Sequence, residues 1–115
     1  MKFEYHYSAD DVLSIYNYDN KVKESVQVSD DIVLDFEVKD NVVGIEVFYA
    51  SEFFNNFNKE IDKSFLENLE DAYLEFKFFR NQIFVVVVLQ GKGKKIYQPM
   101  PPLRKSEYVM PFLRN

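Results

Sequence analysis

Two sets of side chains in the 115-residue sequence combine types that could do chemistry. The only histidine, His6, falls on a predicted strand near Ser8, Asp10 and Asp11, which are the residue types of a Ser–His–Asp hydrolytic site. Such a site needs nucleophile, base and orienting carboxylate within mutual hydrogen-bond reach, with the serine on a sharp glycine-flanked turn. No such turn surrounds Ser8, so we interpret His6 as an ordinary surface histidine and predict no catalytic residues.

The second set consists of three carboxylates, Asp35, Glu37 and Glu46, on the polar face of a predicted hairpin, with Asp35 directly opposite Glu46. Facing carboxylates could bind a hard cation or a basic protein partner. A solvated negative face that resists aggregation is the interpretation we favour. Glycoside hydrolases also use two carboxylates, but a small flat sheet offers no sugar cleft. We therefore predict no metal and no cofactor.

A basic segment near the end of the chain is the third feature. The run GKGKK at 91–95 resembles a phosphate-binding loop only in composition, because it lacks the Gly-x-x-x-x-Gly-Lys-Ser/Thr spacing and no clear helix follows. It could contact a nucleic-acid backbone. A plain solvated hairpin loop is the interpretation we favour. The candidate nucleic-acid contacts are Lys92, Lys94, Lys95, Arg104 and Lys105.

Charge is spread unevenly along the chain, whose net value is −5. Residues 1–90 hold 8 Lys/Arg and 18 Asp/Glu and carry −10, whereas residues 91–115 carry +5. A basic tail is expected to meet something negative, and the acidic part of the same chain, or of a second copy, is the nearest candidate. The chain has no cysteine, which excludes disulfides, thiol nucleophiles and cysteine-based zinc sites.

The hairpin that carries the carboxylates spans 30–51 and turns at Asp40-Asn41. Apolar and polar residues alternate on both sides of this turn, which predicts one buried face. The predicted apolar cross-strand pairs are Val38–Val43, Phe36–Ile45, Leu34–Val47 and Ile32–Tyr49.

At this hairpin the chain resembles a family of short prokaryotic proteins that has only a domain-of-unknown-function label. The resemblance covers about residues 1–51, with VLDFEVKDNVVGIEVFYAS as its clearest motif. It implies a small β-rich module with no established activity, and some members look like the antitoxin half of toxin–antitoxin pairs. Two positions depart from the family pattern, which usually has an Asp-Gly turn at Asp40-Asn41 and an aromatic residue at Ser14.

The remaining patterns predict one α+β domain over 1–115. Residues 1–50 read as an antiparallel β-meander of about five strands in which sequential neighbours pair. Residues 51–71 read as an amphipathic helix capped by Ser51; the spacing of Ser64 and Glu67 leaves open a break near Lys63 into two shorter helices. Residues 72–98 read as a second hairpin turning at 80–82, with Ile96-Tyr97 as one more short strand, and 99–115 as an extended, proline-rich basic tail.

These features favour a small non-enzymatic interaction protein that self-associates as a homodimer, because both faces of the second hairpin are at least half apolar and aromatics make up 17% of the chain. The alternative is a nucleic-acid-binding or antitoxin-like regulator that uses the basic 91–115 segment, and an enzyme ranks third. We expect a cytoplasmic protein, because residues 1–11 have no apolar core of the signal-peptide type and the longest apolar run, at 83–89, is too short to span a membrane. We expect the tail to pack on its own or a partner subunit.

Overall fold

The computed structural model describes residues 2–17, 19, 21–38, 41–80 and 82–101, and the backbone of 103–104. It contains nine strands and two helices within these ranges. The elements are β1 Glu4–Tyr7, β2 Val12–Tyr16, β3 Glu24–Ser29, β4 Ile32–Phe36, β5 Val42–Phe48, α1 Ala50–Asn55, α2 Lys63–Glu67, β6 Leu69–Phe79, β7 Gln82–Gly91, β8 Lys94–Pro99 and β9 Leu103–Arg104. The predicted α+β class, rich in antiparallel strands, is confirmed.

The first sheet contains five antiparallel strands in the order β1-β2-β5-β4-β3. The number and direction of the strands agree with the prediction, but the sequential order does not, because β2 pairs with β5 instead of β3. The physical reason lies in the side chains. Leu13 and Ile15 of β2 face Val47 and Ile45 of β5 and are fully buried, whereas β3 carries exposed polar residues such as Gln27 and lies at the edge.

The register of the β4–β5 hairpin differs by two residues from the predicted one. Leu34 lies opposite Ile45 instead of Val47, because the connection is a five-residue loop, 37–41, and a bulge follows Asp35. Since side chains alternate with period two, a shift of two leaves every side chain on its predicted face. The predicted pairing of Val38 is wrong, because that side chain is 74% exposed in the loop. Residues 39 and 40 of the predicted turn lie outside the described ranges.

Two short helices occupy the segment predicted as one helix over 51–71, and the alternative of a break into two is confirmed. The predicted caps are wrong. The residue before α1 is Tyr49, in a left-handed conformation with φ +53°, and Ser51 lies inside the helix. The cap of α2 is Asp62, whose carboxylate accepts a hydrogen bond from the Phe65 N–H at 2.8 Å.

The second sheet has the order β6-β7-β8, with β9 also beside β7. In its β6–β7 hairpin the last pair is Phe79–Gln82, and Arg80, just after β6, has φ +59°. The register again differs by two from the predicted one, so that Phe76 lies opposite Val85. The predicted loop at 91–95 is shorter than expected, because only Lys92 and Gly93 lie between β7 and β8. The predicted short strand at 96–97 is the middle of β8.

The inward faces of the two sheets and the buried residues of the helices form one hydrophobic core. The Tyr5 hydroxyl of β1 donates a hydrogen bond to the Leu69 carbonyl at the start of β6, at 2.7 Å, and so links the two sheets. After β8 the chain continues along β7, where the Met100 N–H donates to the Val85 carbonyl at 2.8 Å and β9 follows. Residues 105–115, where most of the tail's apolar side chains fall, lie outside the described ranges. No helix in the part of the chain that the structure describes is long and apolar enough to cross a membrane.

Candidate functional site

A depression of about 450 Å³ lies on the outward face of the first sheet. It is lined by His6, Ser14, Tyr16, Asn17, Val22, Asp35, Val43, Ile45 and Glu46. Gly44 allows the Asp35 carboxylate to lie across the middle of the sheet, since a Cβ atom at position 44 would be 2.8 Å from Asp35 Oδ2. That carboxylate also accepts a hydrogen bond from Ser25 Oγ at 2.6 Å. The structure therefore brings together two residue types that sequence reasoning had treated separately, the lone histidine and two of the carboxylates.

The carboxylates are not arranged as predicted. Asp35 lies opposite Gly44, and Glu46 lies opposite Val33, so the two acids are diagonal neighbours on adjacent strands. Glu37 lies apart from them in the hairpin loop, where its carboxylate accepts a hydrogen bond from the Asn41 side-chain amide. Among the described residues, no group of three or more metal-binding side chains could hold a metal ion. The predicted face-to-face pair is wrong because the register is shifted by two residues.

The Ser–His–Asp combination near the N-terminus is not assembled. Ser8 Oγ accepts a hydrogen bond from the Val12 N–H at 3.2 Å in the β1–β2 turn, and the Asp11 carboxylate is used elsewhere. Inside the depression His6 is the cross-strand neighbour of Ser14, but no hydrogen bond joins them in the described part of the chain. Among the described residues, the depression therefore brings polar side chains together without the hydrogen bond between serine and histidine that a Ser–His–Asp site needs.

A hydrogen-bonded cluster that the sequence did not predict joins Tyr7, Asp11 and Ser51. The Tyr7 hydroxyl donates to Asp11 Oδ1. Ser51 donates to the same carboxylate twice, from its N–H to Oδ1 at 3.0 Å and from its Oγ to Oδ2 at 2.8 Å. Asp11 has φ +63°, and its backbone carbonyl accepts from the Ala50 N–H at 2.9 Å. Asp11 in the β1–β2 turn thus accepts hydrogen bonds from the first two N–H groups of α1. The side chain of Tyr49, the residue before the helix, does not cap these groups.

The pKa values in this cluster follow from the contacts. Burial raises the pKa of Tyr7, and the hydrogen bond to Asp11 and its negative charge raise it further. Burial alone would raise the pKa of Asp11 as well, but the hydrogen bonds from Tyr7 and Ser51 outweigh it and hold the pKa below its usual value. The cluster keeps Asp11 ionised and Tyr7 protonated, which suits a structural link better than proton transfer. Asp11 and Ser51 both lie in the segment that resembles the family. Their contact spans 40 residues and cannot be inferred from one sequence.

The predicted nucleic-acid contacts are not brought together in the described residues. Lys92 Nζ donates to Ser64 Oγ at 2.5 Å, and Lys94 forms an exposed ion pair with Glu60 at 2.9 Å. Lys95 points to the other face of β8, where its Nζ lies 5.3 Å from the Tyr73 ring centre and 5.7 Å from that of Tyr97. The contact with Tyr73 raises the pKa of Lys95. The Arg104 side chain and Lys105 lie outside the described ranges.

The outward face of the second sheet carries aromatic side chains that the described residues leave partly exposed. We call this surface the outer face; its members on β6 and β7 are Tyr73, Glu75, Lys77, Phe79, Phe84, Val86 and Val88, and those on β8 are Lys95 and Tyr97. Phe79 is 55% exposed and Tyr97 is 53% exposed. Val88, between Tyr73 and Tyr97, is fully buried, so the aromatic side chains already shield part of this face.

One long edge of the second sheet is open in the described part of the chain. The 11-residue strand β6 pairs with β7 on one side only. A groove of about 860 Å³ runs beside its other side, between β6 and the N-terminal residues Lys2 and Phe3. Phe76 and Phe78, which point inward from β6, are half-buried and meet edge to face, with ring centres 5.8 Å apart. The aromatic side chains of the outer face therefore lie next to this edge of β6.

The comparison with known proteins gives a family match for the first sheet and none for the second. Residues 2–51 match the model of a family described as "Protein of unknown function (DUF2283)". The match confirms the resemblance inferred from the sequence, and it covers the first sheet and the first two residues of α1. No curated protein and no solved structure matches the chain. The depression and the Tyr7–Asp11–Ser51 cluster thus lie in the matched segment, whereas the outer face and the open edge lie beyond it.

Proposed function

We propose that this protein is a non-enzymatic interaction module that self-associates as a two-fold dimer through the β6 side of its second sheet. The observation that carries the proposal is the incomplete burial of the β6 aromatics. Phe79 is 55% exposed, and Tyr73, Phe76 and Phe78 are only half-buried. Aromatic residues are enriched in protein–protein interfaces, so incompletely buried aromatic side chains support the proposal.

A second copy of the same chain is the partner that β6 fits best. The strand carries Glu75 and Lys77 on the same face, one of each sign, so that two copies related by a two-fold axis can place opposite charges together. Two-fold dimers are also the commonest assemblies of soluble proteins. A partner of strongly one-sided charge would leave one of the two side chains facing a like charge.

The other two classes have weaker support. An enzyme would need convergent polar groups in a cleft, and the open depression beside His6 has no hydrogen-bonded nucleophile among the described residues. A nucleic-acid binder would need a positive surface, but Lys92 and Lys94 contact Ser64 and Glu60 of the chain itself. Residues 1–90, moreover, carry −10.

Light scattering and sedimentation of the full chain over nanomolar to micromolar concentration test the proposal. We expect a dimer at micromolar concentration that dissociates on dilution. Phe79→Ser should raise the dissociation constant at least about tenfold, equivalent to about 1.4 kcal/mol. Phe57→Ser, at a similarly exposed phenylalanine in the segment between α1 and α2, is the matched control and should leave the constant unchanged.

A clean monomer mass for the unmodified chain at every concentration would contradict the proposal. So would equal effects of Phe79→Ser and Phe57→Ser. Salt-dependent retardation of DNA or RNA by the unmodified protein would favour the nucleic-acid alternative instead.

A further inference from the structure

We infer that the depression on the outward face of the first sheet binds a small amino alcohol. The ammonium group of this ligand lies between the carboxylates of Asp35 and Glu46, and its hydroxyl oxygen accepts a hydrogen bond from the Asn17 side chain. All residues that line the depression belong to the segment that matches the family, whereas the proposed self-association rests on β6. The two proposals therefore stand or fall separately.

The strand register places three polar side chains around one small area of the sheet. Ser14 lies directly opposite Glu46, and Asp35 is the diagonal neighbour of Glu46 on the next strand. Diagonal neighbours have Cα atoms about 7–8 Å apart. Gly44 lies opposite Asp35 and contributes no side chain to this area. The gap between the two carboxylates therefore has a size that one ammonium group can bridge.

The two carboxylates favour a cation. Asp35 Oδ1 accepts a hydrogen bond from Ser25 Oγ at 2.6 Å, which fixes the carboxylate with Oδ2 beside Gly44. In the described part of the chain neither Asp35 Oδ2 nor the Glu46 carboxylate accepts a hydrogen bond, and no lysine or arginine lines the depression. Like charges on neighbouring strands repel each other, and a cation between them removes that repulsion. The three N–H donors of an ammonium group match Asp35, Glu46 and the Ser14 hydroxyl.

A buried side-chain amide gives the ligand its second contact. Asn17 lines the depression and is 5% exposed. Its Oδ1 accepts a hydrogen bond from the Asp19 N–H at 2.9 Å, whereas its Nδ2 has no hydrogen-bond partner among the described residues and is not fully enclosed. An amide donor without a partner is costly, and an acceptor oxygen on the ligand satisfies it. A bare metal cation has no such acceptor, so the amide favours an organic cation.

An apolar floor connects the two polar ends of the depression. Val43 lines the depression and is 1% exposed, but it does not belong to the hydrophobic core. The Asn17 N–H donates to the Val43 carbonyl at 2.8 Å, so Asn17 lies beside Val43 while Asp35 lies beside Gly44. Successive residues of a strand are about 3.4 Å apart. A stem of two or three carbon atoms over Val43 therefore joins the ammonium position to the acceptor position.

Three probes of equal length test the inference on the full ¹⁵N-labelled chain: 3-amino-1-propanol, butylamine and 1-butanol. The second probe lacks the hydroxyl group and the third lacks the charge. Amide chemical shifts of Ser14, Gly44 and Glu46 are followed at pH 7, with sodium chloride added in equal steps as the ion control. We expect 3-amino-1-propanol to saturate with a dissociation constant of about 1 mM, a value within reach of so small a ligand. Butylamine should bind about three- to tenfold more weakly, because it leaves Asn17 Nδ2 without an acceptor, and 1-butanol should not saturate.

Charge-neutralising variants of the same shape locate the ammonium group. Asp35→Asn and Glu46→Gln should each weaken the binding of 3-amino-1-propanol at least about tenfold, because each removes one charge-assisted hydrogen bond. Glu4→Gln is the matched control, because Glu4 is an exposed acid on the same face that does not line the depression. It should change the dissociation constant by no more than about twofold, the effect of a distant, solvent-screened charge. Amide spectra without ligand first establish that each variant is folded.

Other outcomes overturn the inference. Shifts that do not saturate, or that sodium chloride reproduces, show a negative face without a site. Equal binding of 3-amino-1-propanol and butylamine refutes the contact with Asn17, and an equal loss in Glu4→Gln and Asp35→Asn places the amine elsewhere on the sheet. The titration of the unmodified chain decides against the inference by itself, even where a variant does not fold. None of these results bears on the dimer, which light scattering measures independently.

Discussion

Replacing Asp11 by asparagine tests whether the Tyr7–Asp11–Ser51 cluster holds the first helix onto the first sheet. Asparagine tolerates the left-handed backbone at this position, where φ is +63°, so the substitution removes the charge without straining the turn. It also replaces one acceptor oxygen by a donor. The Tyr7 hydroxyl, the Ser51 N–H and the Ser51 Oγ then compete for the single oxygen that remains.

The size of the effect follows from these contacts. Hydrogen bonds to a charged group contribute about 1.5–3 kcal/mol each when they are well shielded. Partial exposure lowers that figure, and asparagine retains one acceptor, so we expect a loss of about 1–2 kcal/mol in the free energy of unfolding. For a domain of this size that loss lowers Tm by about 3–8 °C. Asp10→Asn is the matched control, because Asp10 is the exposed neighbour, and it should leave Tm unchanged.

The pH dependence gives the prediction its sign. The pKa of Asp11 is lower in the folded chain than in the unfolded one, so ionised Asp11 contributes its full stability above the unfolded value, about 3.9. That contribution is lost as the pH falls through the folded pKa. The difference in Tm between the unmodified chain and Asp11→Asn should therefore be constant from about pH 7 to 5 and shrink below about pH 4. Equal Tm values for the two variants at pH 7, or a gap that widens in acid, would refute the reasoning.

Two further predictions concern the hairpin and the second helix. Ile45→Lys should prevent folding, because it places an unpaired charge at a position that is 1% exposed. Glu37→Lys, in the loop, should change the free energy of unfolding by no more than about 1 kcal/mol. Thermal melts of the two variants followed by circular dichroism would contradict the assigned faces if they coincided. Asp62→Ala should lower the free energy of unfolding by about 1 kcal/mol, because the Phe65 N–H loses its acceptor at the start of α2; urea unfolding measures the loss, and an unchanged midpoint would show that this cap contributes nothing.

The strands and their faces could be predicted from the sequence because side chains alternate with period two, and an error of two residues in register leaves that alternation intact. The same error does change which side chains meet. Asp35 faces Gly44, so the predicted contact with Glu46 does not form. The error arose at the connection, where a five-residue loop closed by a hydrogen bond from the Glu37 N–H to the Asn41 carbonyl replaces the predicted two-residue turn.

Contacts between distant segments could not be predicted in this way. The pairing of β2 with β5 joins residues such as Val12 and Phe48, and the bond from Ser51 to Asp11 spans 40 positions. Local pattern says which side chains are apolar, but it does not say which of several apolar strands lies in the middle of a sheet. The depression depends on the same pairing, since its lining includes Ser14 of β2 and Glu46 of β5, which lie opposite each other.

The family match ends at Ser51, so the first sheet lies inside it and the second sheet, which helps to cover the first, lies beyond it. Residues 2–51 form a complete five-strand sheet, but its inner face consists of fully buried apolar residues such as Leu13, Leu34 and Val47. Alone, the matched segment would expose that face to water, at a cost of about 1.5–3 kcal/mol for each large side chain. In this chain the two helices and the second sheet cover it. Among the described residues, the second sheet in turn leaves aromatic side chains of its outer face partly exposed, and Phe79 is 55% exposed. The self-association that we propose would therefore depend on residues beyond 51. It predicts that Phe79→Ser changes the dimer while the depression beside Asp35 keeps its shape, which amide chemical shifts of the β2 and β5 residues can measure.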